Sequence, residues 1–485
     1  VPPILCGLDT EYGLLVEGRG AEDLVDEATA FVRASPDARF VGWDYRPESP
    51  RADLRGFRLD ALAFDPVDAQ FDAGKSHGTP HEVRADRVLA NGARLYNDHG
   101  HPEYSTPECR SIWELALQDR AGEGFMLRAA AALSAETGRE VRVYKNNTDF
   151  HGASYGTHES YLVPRAIGFQ RLFDACVPML VARQVLVGAG KVGSETGAWV
   201  DYQLSQRADF FVEPANAETL YRRPVFNTRD EPHAESARWI RLHMIAGDAN
   251  MIPAATARKA GLLKLALAFA QAGEPPLFKL ADPVRAFMDV SRDALKRRFE
   301  IKLDRGSWTT ADEILEGYFA AAEARLDLDD DLRWTIESSR ASLRNLRSDF
   351  DTFRRGVDWA AKLHVLEQAE MEFKDPALRA YDLEYHNPDP EAGLHAALED
   401  MQEVEVGPAV ADRATCVHEG TRARARSVAV RRFASDLASV SWRTLVFKDG
   451  TELDLEPDVE YPDTLETVSD VGTFIEAVRG LQGTL

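Results

Sequence analysis

The chain has 485 residues, of which 44% are hydrophobic and 28% charged, and carries a formal net charge of −23. That composition fits a globular protein of two-domain size, and no run of about 18 apolar residues is present to cross a membrane. The acidic excess argues against a nucleic-acid partner, whose phosphates it would repel. The opening VPPILCGLDTEYG has neither a basic n-region nor an apolar h-region, so no secretion signal is expected. Cys6, Cys109, Cys176 and Cys416 lack metal-ligand spacing and are read as free thiols of a reducing cytoplasm.

Along the chain, Ile4–Leu8 is apolar and runs into Asp9-Thr10-Glu11, a buried strand whose end alternates, so that Asp9 and Glu11 share one face. A helix is expected within Gly18–Ala38. Residues 52–88 are irregular, rich in Asp, Gly and His, and are read as a lid or insertion. Strand signals recur at Arg94–Tyr96, Val141–Tyr144 and Val200–Leu204. Helical periodicity predicts Gly122–Glu136, Arg165–Val187, Ser236–Ile245 and Ala255–Gln271, then an almost wholly helical stretch from Thr309 to Ala369. The pattern breaks near Val404–Ala411, which divides the chain into a large domain, 1–411, and a small one, 412–485. The small domain is expected to hold a helix, a strand pair (Ser439–Phe447 and Thr451–Leu455) across an Asp449-Gly450 turn, and a last helix, Leu465–Leu481. Strands first and helices later make the fold class α+β. The basic run Arg422–Arg432 is either a local basic patch or a solvated face.

Four constellations carry chemistry. Asp9 and Glu11 on one strand face would repel unless a cation such as magnesium lay between them, although a strand end emerging into solvent looks the same. Asp98, His99, His101 and Glu103 crowd a polar turn, where a carboxylate beside a metal can act as nucleophile or base; a turn capped by Asp is the plainer alternative. In Lys145–Glu159 small residues allow backbone to approach a ligand, with His158 either a ligand or a satisfied structural residue. Arg207, Arg222, Arg223 and Arg229 suit phosphate oxygens, or else ion-pair with Asp209, Asp230 and Glu231; His243, expected on a helix, could complete a metal site. The GxGxxG string at Gly188, Gly190 and Gly193 lacks a strand–turn–helix context and is read as a flexible connection. Alone, these residues give metal-assisted nucleotide chemistry without a substrate.

At these segments the sequence resembles the family containing the ligase of the prokaryotic ubiquitin-like protein Pup and the deamidase and depupylase of Pup. The resemblance runs through Gly7–Gly13, Asn91–Glu108, Lys145–Leu162, Ser205–Ala234, Val357–Leu363, Thr421–Ala423 and Ser441–Trp442. The family's first strand glutamate is Asp9 here. Trp43–Pro50, the long loop behind it and Asp98-His99-Gly100-His101 look like the deamidase branch. The resemblance implies a glutamine-synthetase-like catalytic domain, with a curved antiparallel sheet backed by helices, and a small C-terminal α/β domain. It also implies that Asp9, Glu11, Glu103, His158 and His243, assisted by Tyr96, hold a magnesium–nucleotide complex. Asp98 would be the catalytic carboxylate, Arg207 and Arg229 would contact ATP phosphates, and Trp442 would lie near the adenine. The implied activity is ATP- and magnesium-dependent cleavage of the isopeptide bond between Pup and substrate lysines, with deamidation of Pup's C-terminal glutamine a second activity to test. The implied partners are Pup and pupylated proteins, met by a cytoplasmic monomer. The alternatives are a Pup–protein ligase, a small-molecule carboxylate–amine ligase and a non-catalytic Pup-binding protein.

Overall fold

The structure, a computed structural model, describes residues 4–60, 79–149, 152, 154–219, 222–275, 278–401 and 420–482. Seven strands form its main sheet: β1 (Cys6–Glu11), β2 (Ala38–Val41), β3 (Arg87–Leu89), β4 (Arg94–Asp98), β5 (His101–Ser105), β6 (Thr157–Pro164) and β7 (Trp239–Gly247). Their order is β7-β6-β1-β5-β4-β3-β2, every pair antiparallel. Alternation decides which face each residue joins. Leu8, Leu95, Tyr104, Tyr161, Leu242 and Met244 point to one side and are buried there. Truncating one of them, such as Leu8→Ala, would cost about 2–5 kcal/mol through lost burial and the cavity left behind.

Helices cover that side: α1 (Leu24–Ala34), α2 (Ile112–Thr137), α3 (Phe169–Ala182) and α4 (Pro253–Ala272). α4 is apolar nearly all round and lies innermost, packed against both α2 and α3. Proline occupies its first turn and Gly273 its left-handed end, φ +87°, as helix start and stop chemistry require. α2 opens on Ser111, whose hydroxyl accepts the Glu114 N–H at 3.0 Å, and closes on Gly138. Ion pairs buried between helices and sheet are complete: Glu159 of β6 with Arg183, and Lys145 with Asp119 (2.7 Å) and Glu123 (2.8 Å).

The C-terminal part holds α5 (Arg422–Arg432), the three-stranded sheet β8 (Leu437–Val440), β9 (Thr444–Phe447) and β10 (Glu452–Asp454), and the helix Val471–Gln482. Its apolar cluster includes Phe40, Trp43 and Val88, so it packs on the edge of the main sheet. The basic run is no solvated face. Arg422 and Arg426 are buried, and both pair with Glu108, at 2.7 and 2.5 Å.

The α+β class and the antiparallel sheet backed by helices are as expected, and the structure corrects several elements. Ser236–Ile245, expected to be a helix, is mostly strand β7, because Ile240, Leu242 and Met244 alternate inward against Arg241 and His243. Ser439–Phe447 is broken: Ser441–Arg443 turns between β8 and β9 and carries Trp442 out of the sheet. The strand expected at Val200–Leu204 shrinks to Tyr202–Gln203. The Gly188–Gly193 connection is not loose. Gly190 (φ +78°) is buried, its N–H donating to the Leu204 carbonyl and its own carbonyl accepting from Lys362 Nζ. The last helix starts later, at Val471, after a short 3-10 turn at Asp463–Thr467. The turn at Asp449-Gly450 forms, with Gly450 at φ +90°. The break at 404–411, the boundary at 411/412, Cys416 and the middle of the 52–88 loop lie outside the described residues.

Candidate active site

The face of the sheet away from the helices is polar, and strand register assembles it. Glu11 lies opposite Glu103 and Asp9 opposite Ser105 across β1 and β5. Asp9 lies opposite His158 across β1 and β6, and His243 opposite Ser160 across β6 and β7. Tyr96 lies opposite Glu103, and Asp98 opposite His101, across β4 and β5. All of these but Ser160 line one cleft of about 420 Å³, together with Arg207, Arg229 and Trp442. The structure therefore brings every residue that the resemblance implied for the site to one place, whereas Arg222, also expected to suit phosphate oxygens, is exposed, pairs with Glu213 and does not line the cleft.

The hairpin explains how Asp98 is presented. His99 (φ +49°) and Gly100 (φ +93°) form its two-residue turn, both with positive φ as a tight turn between twisted strands requires. Asn97 Oδ1 accepts the Gly100 N–H at 2.8 Å, so the capping role falls to Asn97 and Asp98 is left to the cleft. At the next strand, a Cβ on Gly156 would sit 1.9 Å from His158 Nε2, so glycine there makes room for the imidazole. The Gly156 carbonyl accepts the Glu11 N–H at 3.0 Å.

Oxygens of Glu11, Asp98 and Glu103 lie within 4.8 Å of one another. Burial and the neighbouring Asp98 and Glu11 push the Glu103 carboxyl well above the usual range. Burial, then Asp98, raises Glu11 to about 7. Burial also acts on Asp98, but His99, Arg84, His158 and Arg94 outweigh it and hold this carboxyl below its ordinary value. One firmly ionised carboxylate thus sits beside two that resist ionisation, the balance a divalent cation with oxygen ligands would resolve. Asp9 forms a second corner, 3.9 Å from His243 Nδ1 and 3.8 Å from Arg241, with burial raising its carboxyl despite that arginine. Burial pushes His158 and His243 well down, with Arg207 and Arg241 respectively adding to it, leaving neutral rings able to offer a lone pair.

Guanidinium groups face this wall. Arg207 is 1% exposed, and its Nε and Nη1 are buried without a hydrogen-bond partner. Burial, and Arg223 close by, lower it to about 10. Arg229 Nη2 donates to Thr219 Oγ1 at 3.0 Å while its Nε has no partner. Buried donors left unpaired are costly, so they mark where an anion fits. Trp442 stands at the rim, with Trp43 edge-on at 5.1 Å and the Arg426 guanidinium 4.7 Å from its ring.

Arg84, Arg94 and Arg241 were not singled out from the sequence. Arg94 is stacked between Trp43 (4.4 Å) and Tyr96 (3.9 Å) and bonded to Asp86. Arg241 was legible in principle, two residues before His243, once that segment is read as a strand. Both described ends of the 52–88 insertion approach the cleft. Leu54 N–H donates to the Thr228 carbonyl at 2.8 Å beside Arg229, and Arg84 lines the cavity.

Comparison with known proteins fits this geometry. The family described as Pup-ligase protein matches residues 4–446. The chain is 36% identical over 463 residues to a depupylase of Acidothermus cellulolyticus, covering 91% of this chain and 90% of that one. It is 35% identical over 471 residues to a Pup deamidase/depupylase of Mycolicibacterium smegmatis, covering 92% of each. A Pup–protein ligase of Geodermatophilus obscurus is 38% identical over 363 residues, 71% of this chain and 80% of the ligase. Among solved structures, the complex of Pup with its ligase PafA superposes with a TM-score of 0.77 at 25% identity, covering 100% of this chain and 95% of that one. PafA in complex with ADP gives 0.70 at 26% identity, covering 88% of this chain and 96% of that one. With its sheet, its helices and its polar face all accounted for, the chain belongs to the Pup-ligase family and has that family's glutamine-synthetase-like α+β fold.

Proposed function

We propose that the chain is an ATP- and magnesium-dependent hydrolase that cleaves the isopeptide bond between Pup and substrate lysines. One observation carries the chemistry: an ionised carboxylate, Asp98, shares a cleft with buried guanidinium donors that lack a partner. The direction is supported by relatives, since the depupylase aligns with 91% of this chain and the ligase above with 71%. The large catalytic part and the small C-terminal part would divide near residue 411, meeting at Trp442.

The donors fit the nucleotide. Glu11 and Glu103, with Tyr96 opposite Glu103, and the Asp9, His158 and His243 corner would hold magnesium; Arg207 and Arg229 would hold phosphates and Trp442 the base. When bound, magnesium would supply positive charge and the nucleotide would help to orient the substrate. The protein's own residues do the rest. Asp98 either attacks the side-chain carbonyl carbon of Pup's C-terminal residue or takes a proton from the water that does. The C–N bond breaks, the proton goes to the departing lysine amine, and one water is consumed overall. Arg84 and Arg94, whose charge acts on Asp98, would stabilise the oxyanion that develops on the carbonyl oxygen. On a C-terminal glutamine the same step releases ammonia. The partners would be Pup and pupylated proteins, met by a monomer in the cytoplasm; among the described residues no helix is long and apolar enough to cross a membrane.

The test is incubation with a Pup–protein conjugate, with Pup ending in glutamine, and with Pup ending in glutamate beside an unmodified lysine-bearing protein, each with ATP and magnesium. Release of intact substrate protein is expected. Joining of Pup ending in glutamate to free lysines, with no cleavage, would establish the ligase, to which the solved neighbours belong.

A further inference from the structure

We infer that Asp248 is a positioning residue that aims the Arg207 guanidinium into the cleft, and this rests on the phosphate role proposed for Arg207. Asp248 directly follows β7 and is buried. Its Oδ1 accepts from Ser205 Oγ at 2.8 Å, and its Oδ2 accepts the Gln206 N–H at 3.2 Å and the Ala189 N–H at 2.9 Å. The network then reaches the arginine: the Arg207 N–H donates to the same Ser205 hydroxyl at 3.1 Å. Gln206 is held from the other side, its Oε1 accepting the Asn147 N–H at 2.6 Å and its Nε2 donating to the Gly190 carbonyl at 3.1 Å. Lys259 Nζ closes the assembly on the Asp248 carbonyl at 2.7 Å.

Two features make this a device for Arg207 rather than general packing. Asp248, Ser205 and Gln206 do not line the cleft, so a molecule bound there touches none of them. Arg207 Nε and Nη1 have no partner of their own, so the aim of the guanidinium depends on where its backbone launches it. A side chain that must be ready for a ligand without being tied to the protein is held by the shell behind it. Asp248 also lies close enough to favour the charged form of Arg207.

The experiment compares Asp248→Asn, Arg207→Ala and the double variant for calorimetric Kd of magnesium–ATP, for KM of ATP and for kcat of conjugate cleavage. Asn keeps the shape but loses the charge and one of the acceptor pairings. Asp248→Asn is expected to weaken ATP binding about tenfold, the loss of hydrogen bonds to a charged group, with kcat at saturating ATP within about twofold. The double variant is expected to bind no worse than Arg207→Ala alone, because both act through one guanidinium. Ser205→Ala, which removes the shared hydroxyl, carries the same expectation if Asp248→Asn unfolds below the assay temperature. An unchanged Kd in Asp248→Asn and Ser205→Ala while Arg207→Ala weakens binding would overturn the positioning role and leave the phosphate site standing. An unchanged Kd in Arg207→Ala would remove the phosphate site, and the positioning role with it.

Discussion

The two faces of one sheet treat charge in opposite ways. On the helix side, Glu159 is fully buried and bonded to Arg183, and Lys145 is held by Asp119 and Glu123. On the cleft side, one residue along the same strand, His158 faces Glu11, Asp98 and Glu103, a cluster in which only Asp98 is held ionised and two carboxyls resist it, across from the unpartnered donors of Arg207. Both faces desolvate their charges, so the penalty is similar; what differs is where the compensation comes from. A buried ion pair completed within the chain is structure. A buried charge whose partner is missing from the chain is a place for a ligand.

The comparison breaks first at Asp98. Asp98→Asn is expected to lower conjugate cleavage by about 10²–10⁴-fold, the range of a positioned acid–base group, while magnesium–ATP binding measured by calorimetry persists. Unchanged turnover would show that the cleft side has another catalytic group. Next come glutamates on the two faces. Glu159→Gln leaves Arg183 buried against a neutral amide and is expected to cost about 3–5 kcal/mol in denaturant unfolding. Glu103→Gln, in magnesium-free buffer, is expected to cost nothing or to stabilise, because it removes repulsion with Asp98 and Glu11. If the two variants lost equal stability, the distinction between paired and unpaired faces would fall.

A smaller effect tests the pairing that ties α5 to the sheet. Burial opposes ionisation of Glu108, but Arg426 and Arg422 outweigh it and lower the carboxyl to about 2. Its folded value is depressed, so its stabilisation is present above about pH 4.5, the unfolded value, and is lost as pH falls from there towards 2. Urea unfolding across that window should show a decline that Glu108→Gln removes. The smallest effect is expected at the turn: Gly100→Ala forces a side chain onto φ +93°, with its Cβ 3.0 Å from Leu24 Cγ. A loss of about 1–2 kcal/mol and a several-fold fall in turnover would show that the hairpin sets Asp98.

Much of the site was legible because it is written in short segments. Asp9 and Glu11 alternate within a single strand, and Asp98 and Glu103 are five residues apart on one hairpin, so local periodicity places each pair without the fold. Nothing beside Arg94 in the chain distinguishes an arginine lining a cleft from one in solvent, and Arg241 becomes legible only once the segment holding His243 is read as a strand. The basic run of α5 shows the same limit. Its partner Glu108 lies 314 residues from Arg422 and 318 from Arg426, and no local pattern joins them.

By itself, the sequence determined the family, the strand-then-helix order, the carboxylates of the site and the Asp449-Gly450 turn, because propensity, alternation and motif spacing act over a few residues. The tertiary structure decided what depends on register between distant strands. Ser236–Ile245 reads as a helix in isolation, and pairing with β6 instead makes Trp239–Gly247 the strand that carries Arg241 and His243 into the cleft. It also decided which buried charges are satisfied, since that depends on neighbours brought together from across the chain.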